Sequence, residues 1–369
     1  MPTPPLTEEV MAETLAAFER HGSVKAAAEA LGLARSTFRN RLARAQLDPA
    51  IADSMQAVGT AMVPALAWAK TKSKDGTSYS VLLKPQASEV GALDAIRAAF
   101  EGLDAAPPVS APRHADADLL TLYPLADVHI GMMAWGREVG EDYSTALACA
   151  RVRDWVGQCV ASAPPAETAV ILGVGDLLHA DDQRNVTPQS KHQLDVDTRY
   201  FKTVDVTIAA LASCVDLALQ KHKRVILRIL PGNHDTHSHL AVLFALAERY
   251  RENGRVEVQK EPSEFFAYEF GTVMLSAHHG DKAKAERMVL FLADEYPELW
   301  GRTRHRFLFT GHLHHHKSQD IGGVQWEQLR AVTPRDAYAA SHAYSARAQM
   351  QAITYHKDRG EVSRVKVAA

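Results

Sequence analysis

Apolar positions follow two different periods along this chain, and the change comes near residue 119. Between Thr7 and Gln46 the spacing is helical: Val10, Leu15 and Phe18 in a first segment, the alanine-rich Val24–Leu31 in a second, and Phe38 with Leu42 at i, i+4 in a third, Arg35–Arg44. Gly22-Ser23 ends the first helix and offers Ser23 as a cap for the next, and Gly32-Leu33 makes the turn before the third. From Leu119 onward, short runs rich in leucine and β-branched residues alternate with longer amphipathic stretches. Leu119–Leu125, Thr168–Val174 and Val225–Leu230 read as buried strands, and Tyr143–Ser162, Asp195–His222 and Leu240–Asn253 as helices. The remainder is expected to be richer in strands, at Arg255–Lys260, Glu264–Ala277, His305–Thr310, Ile353–His356 and Val362–Val367. The pattern predicts an α/β-class sheet of mixed direction with helices on its faces, preceded by a small helical unit.

Two segments join these parts. Ala67–Val81 reads as a hairpin about Asp75-Gly76, with Lys70, Lys72 and Lys74 on one strand face, either as a basic wing or as a solvated edge. Glu89–Phe100 predicts an amphipathic helix, and the Pro- and Ala-rich stretch after it a linker. The expected division is therefore 1–50, a helical module; 51–102, an accessory region; 103–118, a linker; and 119–369, the main domain.

The 41 Lys and Arg against 44 Asp and Glu leave a net charge of -3, which excludes a wholesale polycation, so any nucleic-acid contact must come from a local basic surface. Cys149, Cys159 and Cys214 are too few and too irregular for a disulfide framework or a zinc ribbon, and are expected as reduced core residues of a cytoplasmic protein. The stretch Met1–Glu9 has neither the basic nor the apolar region of a signal peptide, and no apolar run approaches the roughly 20 residues that span a bilayer, so no membrane partner is expected. The 18 histidines are the anomaly, because many fall near strand ends in the second half.

Those strand ends carry the candidate chemistry. Asp127 and His129 follow the first strand, Asp176 the second, and Asn233, His234 and Asp235 the third. His278 and His279 follow Val273–Ala277, and His312 and His314 follow Phe307–Gly311. Strand ends on one edge of an α/β sheet converge on a crevice. Oxygen and imidazole donors without thiolates favour Mn, Fe, Zn or Mg. For Leu230–Asp235 taken alone, a polar turn with a helix-capping Asp is the alternative.

The sequence Gly22-Ser-Val-Lys-Ala-Ala-Ala-Glu-Ala-Leu-Gly-Leu-Ala-Arg-Ser-Thr-Phe38 resembles the helix-turn-helix of many bacterial DNA-binding regulators, over this N-terminal stretch alone. The resemblance implies that Arg35, Ser36, Arg39 and Asn40 reach base edges and that Arg41 and Arg44 meet phosphates. A helical packing or dimerisation module with a merely solvated face is the other reading, and a homodimer is compatible with either.

The order Asp127-X-His129, Gly175-Asp176, Gly232-Asn-His-Asp235, His279-Gly280, Gly311-His-X-His314 resembles the calcineurin-like metallophosphoesterase superfamily, across about Leu119 to His316. Gly175-Asp-Leu-Leu-His179 with Gly232-Asn-His-Asp235 is most similar to SbcD-type DNA exonucleases, and Thr187–Tyr200 and Thr333-Pro-Arg-Asp336 to phage and prophage members. The resemblance implies a metallophosphoesterase-type mixed β-sandwich flanked by helices, in a bacterial or phage-infected cell. It also implies two divalent cations, Mn2+ first, one held by Asp127, His129, Asp176 and His314 and the other by Asp176, Asn233, His279 and His312. His234 would be the general acid, with Asp235 fixing its orientation. His278 is the alternative to His279 as ligand, and His315 and His316 are expected on a solvated strand. His179 either contacts the scissile phosphate or packs; Arg184, with Asp181, Asp182 and Lys191, lies on a polar loop from which phosphate contact is the second reading.

Three functions follow from these features. The first is a DNA phosphodiesterase localised by the helix-turn-helix. The second is a phosphomonoesterase or small-molecule phosphodiesterase using the same metals, and the third a DNA-binding regulator or packaging component.

Overall fold

The computed structural model describes residues 8–45, 67–72, 78–83, 105–107 and 109–369. The chain divides into two compact units, Met1–Glu89 and Val90–Ala369. In the first, helices α1 (Glu8–His21), α2 (Val24–Ala30) and α3 (Arg35–Ala45) close on Ala17, Ala27, Ala28, Phe38 and Leu42, with Leu15 and Phe18 packed against them. Ser23 caps α2 by accepting from the Ala26 N–H at 3.2 Å. Gly22 and Gly32 take φ of +64° and +63° at the two turns, a region open to glycine at little cost. Strands β1 (Ala67–Lys72) and β2 (Ser78–Leu83) pair antiparallel, as the hairpin reading expects. Lys74, the Asp75-Gly76 turn and the expected helix Glu89–Phe100 lie outside the described residues.

The second unit begins with β3 (Asp116–Leu125), α4 (Gly136–Val139), α5 (Thr145–Ser162), β4 (Ala166–Gly173), α6 (Tyr200–Leu219), β5 (Arg224–Ile229), α7 (Ser238–Arg249) and β6 (Val256–Val258). It continues through β7 (Phe266–Phe270), β8 (Val273–Ala277), α8 (Ala285–Glu295), α9 (Pro297–Arg302) and β9 (His305–Thr310). The last elements are β10 (Lys317–Ile321), β11 (Val324–Gln328), α10 (Ala337–Ser341), β12 (Gln349–His356) and β13 (Gly360–Ala368). Two mixed sheets result, one ordered β13-β12-β3-β4-β5-β6 and the other β10-β11-β9-β8-β7. Neighbours among β3, β4, β5 and β6 are parallel, as are β8, β9 and β11.

Alternation along the strands explains the layering. Leu120, Leu122, Val170, Leu172 and Ile226 of the first sheet meet Phe266, Leu275, Phe307 and Phe309 of the second. The intervening Tyr123, Leu125, Ala169, Ile171, Val225 and Leu227 face α5, α6 and α7 instead. Strands buried on both faces read as continuous apolar runs, which is why these were legible. On the far side, Met274 and Leu308 pack under Met288, Val289 and Leu292 of α8. The mixed β-sandwich flanked by helices that the resemblance implies is what the second unit forms, two mixed sheets with a helical layer outside each.

Several expected boundaries differ. Glu264–Ala277 is two antiparallel strands, because Gly271 turns the chain at φ +59° where a Cβ would strike the Lys357 carbonyl at 2.5 Å. The helix expected from Asp195 starts at Tyr200. Residues expected as linker are fastened to this unit: Ala106 is buried and donates to the Arg249 carbonyl at 2.9 Å, Arg255 donates to the Val109 carbonyl at 2.6 Å, and β3 begins at Asp116. Cys149, Cys159 and Cys214 are free thiols, the last two buried. No helix among the described residues is long and apolar enough to cross a membrane. Leu122 lies fully buried between the sheets, so Leu122→Ala is expected to cost about 2–5 kcal/mol in urea-induced unfolding; a change under about 1 kcal/mol would contradict the packing described.

Candidate metal centre

Five strand ends meet at one edge of the sandwich. The chain leaves β3 into Asp127 and His129, β4 into Asp176 and His179, β5 into Asn233–Asp235, β8 into His278 and His279, and β9 into His312 and His314. Backbone bonds stitch these exits together: His129 donates to the Asp176 carbonyl at 2.9 Å, His179 to Ile130 at 3.0 Å and Gly311 to His279 at 2.9 Å. Five of these residues, Asp127, His129, Asp176, His312 and His314, have φ between 49° and 72°. Such left-handed backbone costs a non-glycine residue of order 1–3 kcal/mol and persists only where surroundings impose it.

The side chains gather into two adjoining sets that carry the carboxylates, and a third, of imidazoles alone, His129, His179 and His234, shares His129 with the first. Atoms of Asp127, His129 and His314 lie within metal-binding reach of one another, as do those of Asp176, His279 and His312. In the first set, His314 Nε2 is 3.3 Å from Asp127 Oδ1 and 3.2 Å from His129 Nε2. In the second, His279 Nε2 is 3.2 Å from Asp176 Oδ2 and 3.1 Å from Asn233 Oδ1. Asp176 joins the two, since its Oδ2 also lies 3.9 Å from His129 Nε2. All four residues expected around each cation are therefore neighbours here.

The polar environment suits cations. Asp127, Asp176 and Asp235 are essentially inaccessible, and among the described residues no Lys or Arg pairs with any of them. Burying carboxylates is costly, and the countercharge here comes from imidazoles, His279 beside Asp176 and His314 beside Asp127, whose pKa values those carboxylates raise. Burial, reinforced by the nearby His234, holds His129 and His179 well below the usual imidazole range, so both rings are neutral, the form that ligates metal. Burial opposes charge on His279 as well, but the Asp176 carboxylate beside it wins and raises its pKa to about 10. His279 Nδ1 donates to the Val174 carbonyl at 2.9 Å, which orients the ring and turns Nε2 toward the cluster.

His278, the alternative ligand, faces away: its ring lies 4.6 Å from Phe265 and its Nδ1 accepts from the Gly280 N–H. His234 Nδ1 donates to the His179 carbonyl at 2.8 Å, and its ring centre is 4.6 Å from that of His129. Asp235 does not perform the orienting role expected of it. Its carboxylate instead accepts backbone N–H groups of Gly232 (2.8 Å), Asp176 (3.2 Å), Leu177 (2.8 Å) and Leu178 (3.2 Å). His179 is buried with Nδ1 3.2 Å from His129 Nδ1, so it backs a ligand and does not line open space. Arg184 pairs with Asp182 in its own exposed loop, and Asp181 caps α7 through the N–H groups of His237 and Ser238. His315 and His316, expected on a solvated strand, are exposed but lie just before β10, turned to the Leu313 carbonyl and to Glu327. In α3, Arg35 and Arg39 are exposed and Arg41 is half-buried, while the side chains of Ser36, Asn40 and Arg44 lie outside the described residues.

Sequence reading missed two supports. Thr333, noted above only for the likeness of Thr333-Pro-Arg-Asp336 to phage members, donates its N–H to the Asp127 carbonyl at 3.2 Å. The glycines beside the ligands are spacers: a Cβ on Gly175 would meet His279 Nδ1 at 2.5 Å, one on Gly311 would meet Asp127 Oδ2 at 2.5 Å, and one on Gly232 would overlap the Asp176 carboxylate. Their place in the motifs was the available signal.

No protein-family model matches the sequence, and no curated protein matches it either. Among solved structures, similarity is found to an archaeal protein described as a novel phosphodiesterase, at 11% identity and TM-score 0.34, over 68% of this chain and 99% of that one. A Streptococcus pneumoniae protein described as a predicted phosphoesterase gives 11% identity and 0.29 over 68% and 98%. Zinc-complexed Vps29 from Entamoeba histolytica gives 11% and 0.29 over 67% and 98%. Similarity at this level carries no information about chemistry or substrate.

Gly232→Ala is expected to abolish stoichiometric binding of Mn2+, measured by metal analysis after gel filtration, while Gly254→Ala, whose Cβ meets nothing, leaves it intact; full loading of the first variant would refute the crowding argument. Because Asp176 holds a proton on His279 up to about pH 10, Mn2+ uptake should release a proton and tighten as pH rises below that value. Calorimetry in buffers of different ionisation enthalpy reads the release, and uptake without it would contradict the assignment.

Proposed function

We propose that this chain is a two-metal phosphodiesterase that hydrolyses DNA, a nuclease localised by its N-terminal helical unit. The observation that carries the proposal is the position of Asp176, whose Oδ2 lies 3.2 Å from one histidine of the second set and 3.9 Å from one of the first. A carboxylate shared by two such sets suits a bridging ligand. Asp127, His129 and His314 complete one site; Asn233, His279 and His312 complete the other. Those residues would hold two divalent cations, which would supply the charge for activating water and steadying phosphoryl oxygens.

The chain's own groups do the rest. His234 is held by its Nδ1–H bond to the His179 carbonyl, so as imidazolium it can deliver its Nε2 proton to the departing oxygen and be left as the neutral Nδ1–H ring. The His234 N–H donates to Asp176 Oδ1 at 2.8 Å, so the proton donor and the shared carboxylate keep a set separation. His179 supports His129 from behind. Arg35 and Arg39 on the exposed side of α3 support DNA as the substrate, because a duplex presents about one charge per 1.7 Å of axis and rewards even a small basic surface.

With Mn2+, hydrolysis is expected on linear, circular or single-stranded DNA and on a chromogenic phosphate diester, in preference to a chromogenic monoester. Asp176→Asn should abolish turnover, and His234→Ala should lower kcat on the diester by about 10²–10⁴-fold with metal content unchanged. Monoester hydrolysis with every DNA left intact would replace this reading by a phosphomonoesterase.

A further inference from the structure

Beside the ligand cluster, two loops bring exposed rings into a continuous run. After β11 the chain passes the first ligand, Val332 donating to the Ala126 carbonyl at 3.0 Å and Thr333 to that of Asp127, and then enters α10, capped by Asp336 through the Ala339 N–H at 2.7 Å. Tyr338 of that helix has its ring centre 4.1 Å from His342, at 31°, and His342 stands 6.0 Å from Tyr344 at 30°. His192, from the loop that follows Asp176 and His179, adds a fourth ring 6.0 Å from Tyr338. Tyr338 and Tyr344 expose 54% and 59% of their surface. The His342 ring is fixed by its Nδ1 bond to the Tyr338 carbonyl at 2.9 Å, so the run is set before any ligand arrives.

We infer that the ring ladder His192–Tyr338–His342–Tyr344 is a stacking platform for unpaired bases of single-stranded DNA, a step that rests on the phosphodiesterase reading of the adjoining site. Aromatic faces stack on any base, and duplex bases, already covered on both sides by their neighbours, have no free face to offer. The residues between the rings, Ala339, Ala340, Ser341 and Ala343, are small. Tyr338 and His342 are in contact, so a base would lie on the exposed side of the Tyr338 or Tyr344 ring and not between rings, and the small neighbours make no pocket for the aliphatic or aromatic anchor that a protein partner would insert. Cationic groups flank the run: exposed Arg335 precedes it and bonds through Nε to the Val139 carbonyl at the end of α4, and Arg137 of α4 lies 5.2 Å over the exposed Trp135 ring. A strand laid along the ladder would thus meet bases' partners on the rings and phosphate partners beside them.

The test uses the full chain in EDTA, with fluorescence anisotropy of a labelled 12-nucleotide oligo(dT) and of a 12-base-pair duplex, beside Mn2+-dependent hydrolysis of methyl 4-nitrophenyl phosphate. Tyr338→Ala and Tyr344→Ala should each weaken single-strand binding by about tenfold or more. Duplex binding and hydrolysis of the small ester should stay within twofold, and Tyr338→Trp should restore single-strand binding. Unchanged single-strand affinity in both alanine variants overturns the ladder even if DNA is cleaved normally. Equal weakening toward duplex and single strand also overturns it, since base faces would then not be what is read. If the small ester and DNA are not hydrolysed at all but single-strand binding still depends on the two tyrosines, the phosphodiesterase reading fails and the platform stands. Should Tyr338→Ala lose the fold, Tyr344→Ala, altered at an exposed position, decides alone.

Discussion

Asp235 is the group on which the site's geometry depends. Its buried carboxylate accepts four backbone N–H groups, three from the turn after β4 and one from the turn after β5. Burial, with the Asp176 carboxylate nearby, raises its pKa to about 7 against the pull of those N–H groups, and removing the acceptor would leave four buried donors unsatisfied. One side chain therefore fixes two strand ends against each other. Asp176 belongs to the first of those turns and Asn233 and His234 to the second, so Asp235, through the backbone N–H of Asp176 and its neighbours, sets the separation of the shared ligand from the groups around it.

The left-handed ligands show what that rigidity is used for. At an extended strand end Asp127 and His129, two residues apart, would share a side in any case; with φ near 50° at both, the chain turns at once on leaving the strand instead of running on past the centre. Five such residues together cost several kcal/mol by the usual scale, and the cost is borne by the sandwich beneath. Glycine is needed next to the ligands for a separate reason: at Gly232 the Asp176 carboxylate occupies the volume of a β-carbon. Close approach of two turns, more than turn shape, explains that position.

Much of this was legible because the parallel strands are buried on both faces and end abruptly in polar groups, as Val225–Leu230 does before Asn233. The ligand blocks could be read for the same reason. Roles within a tight turn could not: Asp235 follows His234 in sequence, yet its carboxylate turns to the backbone of the other loop and a main-chain carbonyl orients the imidazole. The strand Lys317–Ile321 escaped because it is polar and exposed at the sheet edge, with no alternation to detect. Helix α8 did carry a signal, Ala285, Met288, Val289 and Leu292 at i, i+3, i+4 and i+7, hidden among strand-like neighbours. Packing across the chain, as between Thr333 and Asp127, has no local sequence signature.

The ligand sets also divide between the two sheets in a way that bears on how the site is held. Asp127, His129, Asp176 and Asn233 come from turns of the six-stranded sheet, and His279, His312 and His314 from turns of the five-stranded one. Each proposed cation would thus draw ligands from both layers, and sliding one sheet by a single residue, about 3.3 Å, would separate every pair that spans the two sheets. What prevents the slide is the interdigitated layer of Leu120, Leu122, Leu172, Phe307 and Phe309, together with direct bonds such as the His312 N–H to the Asp127 carboxylate at 3.0 Å. Close-packed interiors resist such shear because any displacement opens voids. Cations bound at the edge would reinforce the same register, since a ligand that binds only the folded arrangement stabilises it by mass action. Core packing and metal affinity are in this sense one property of the sandwich, set by the same pairing of sheets.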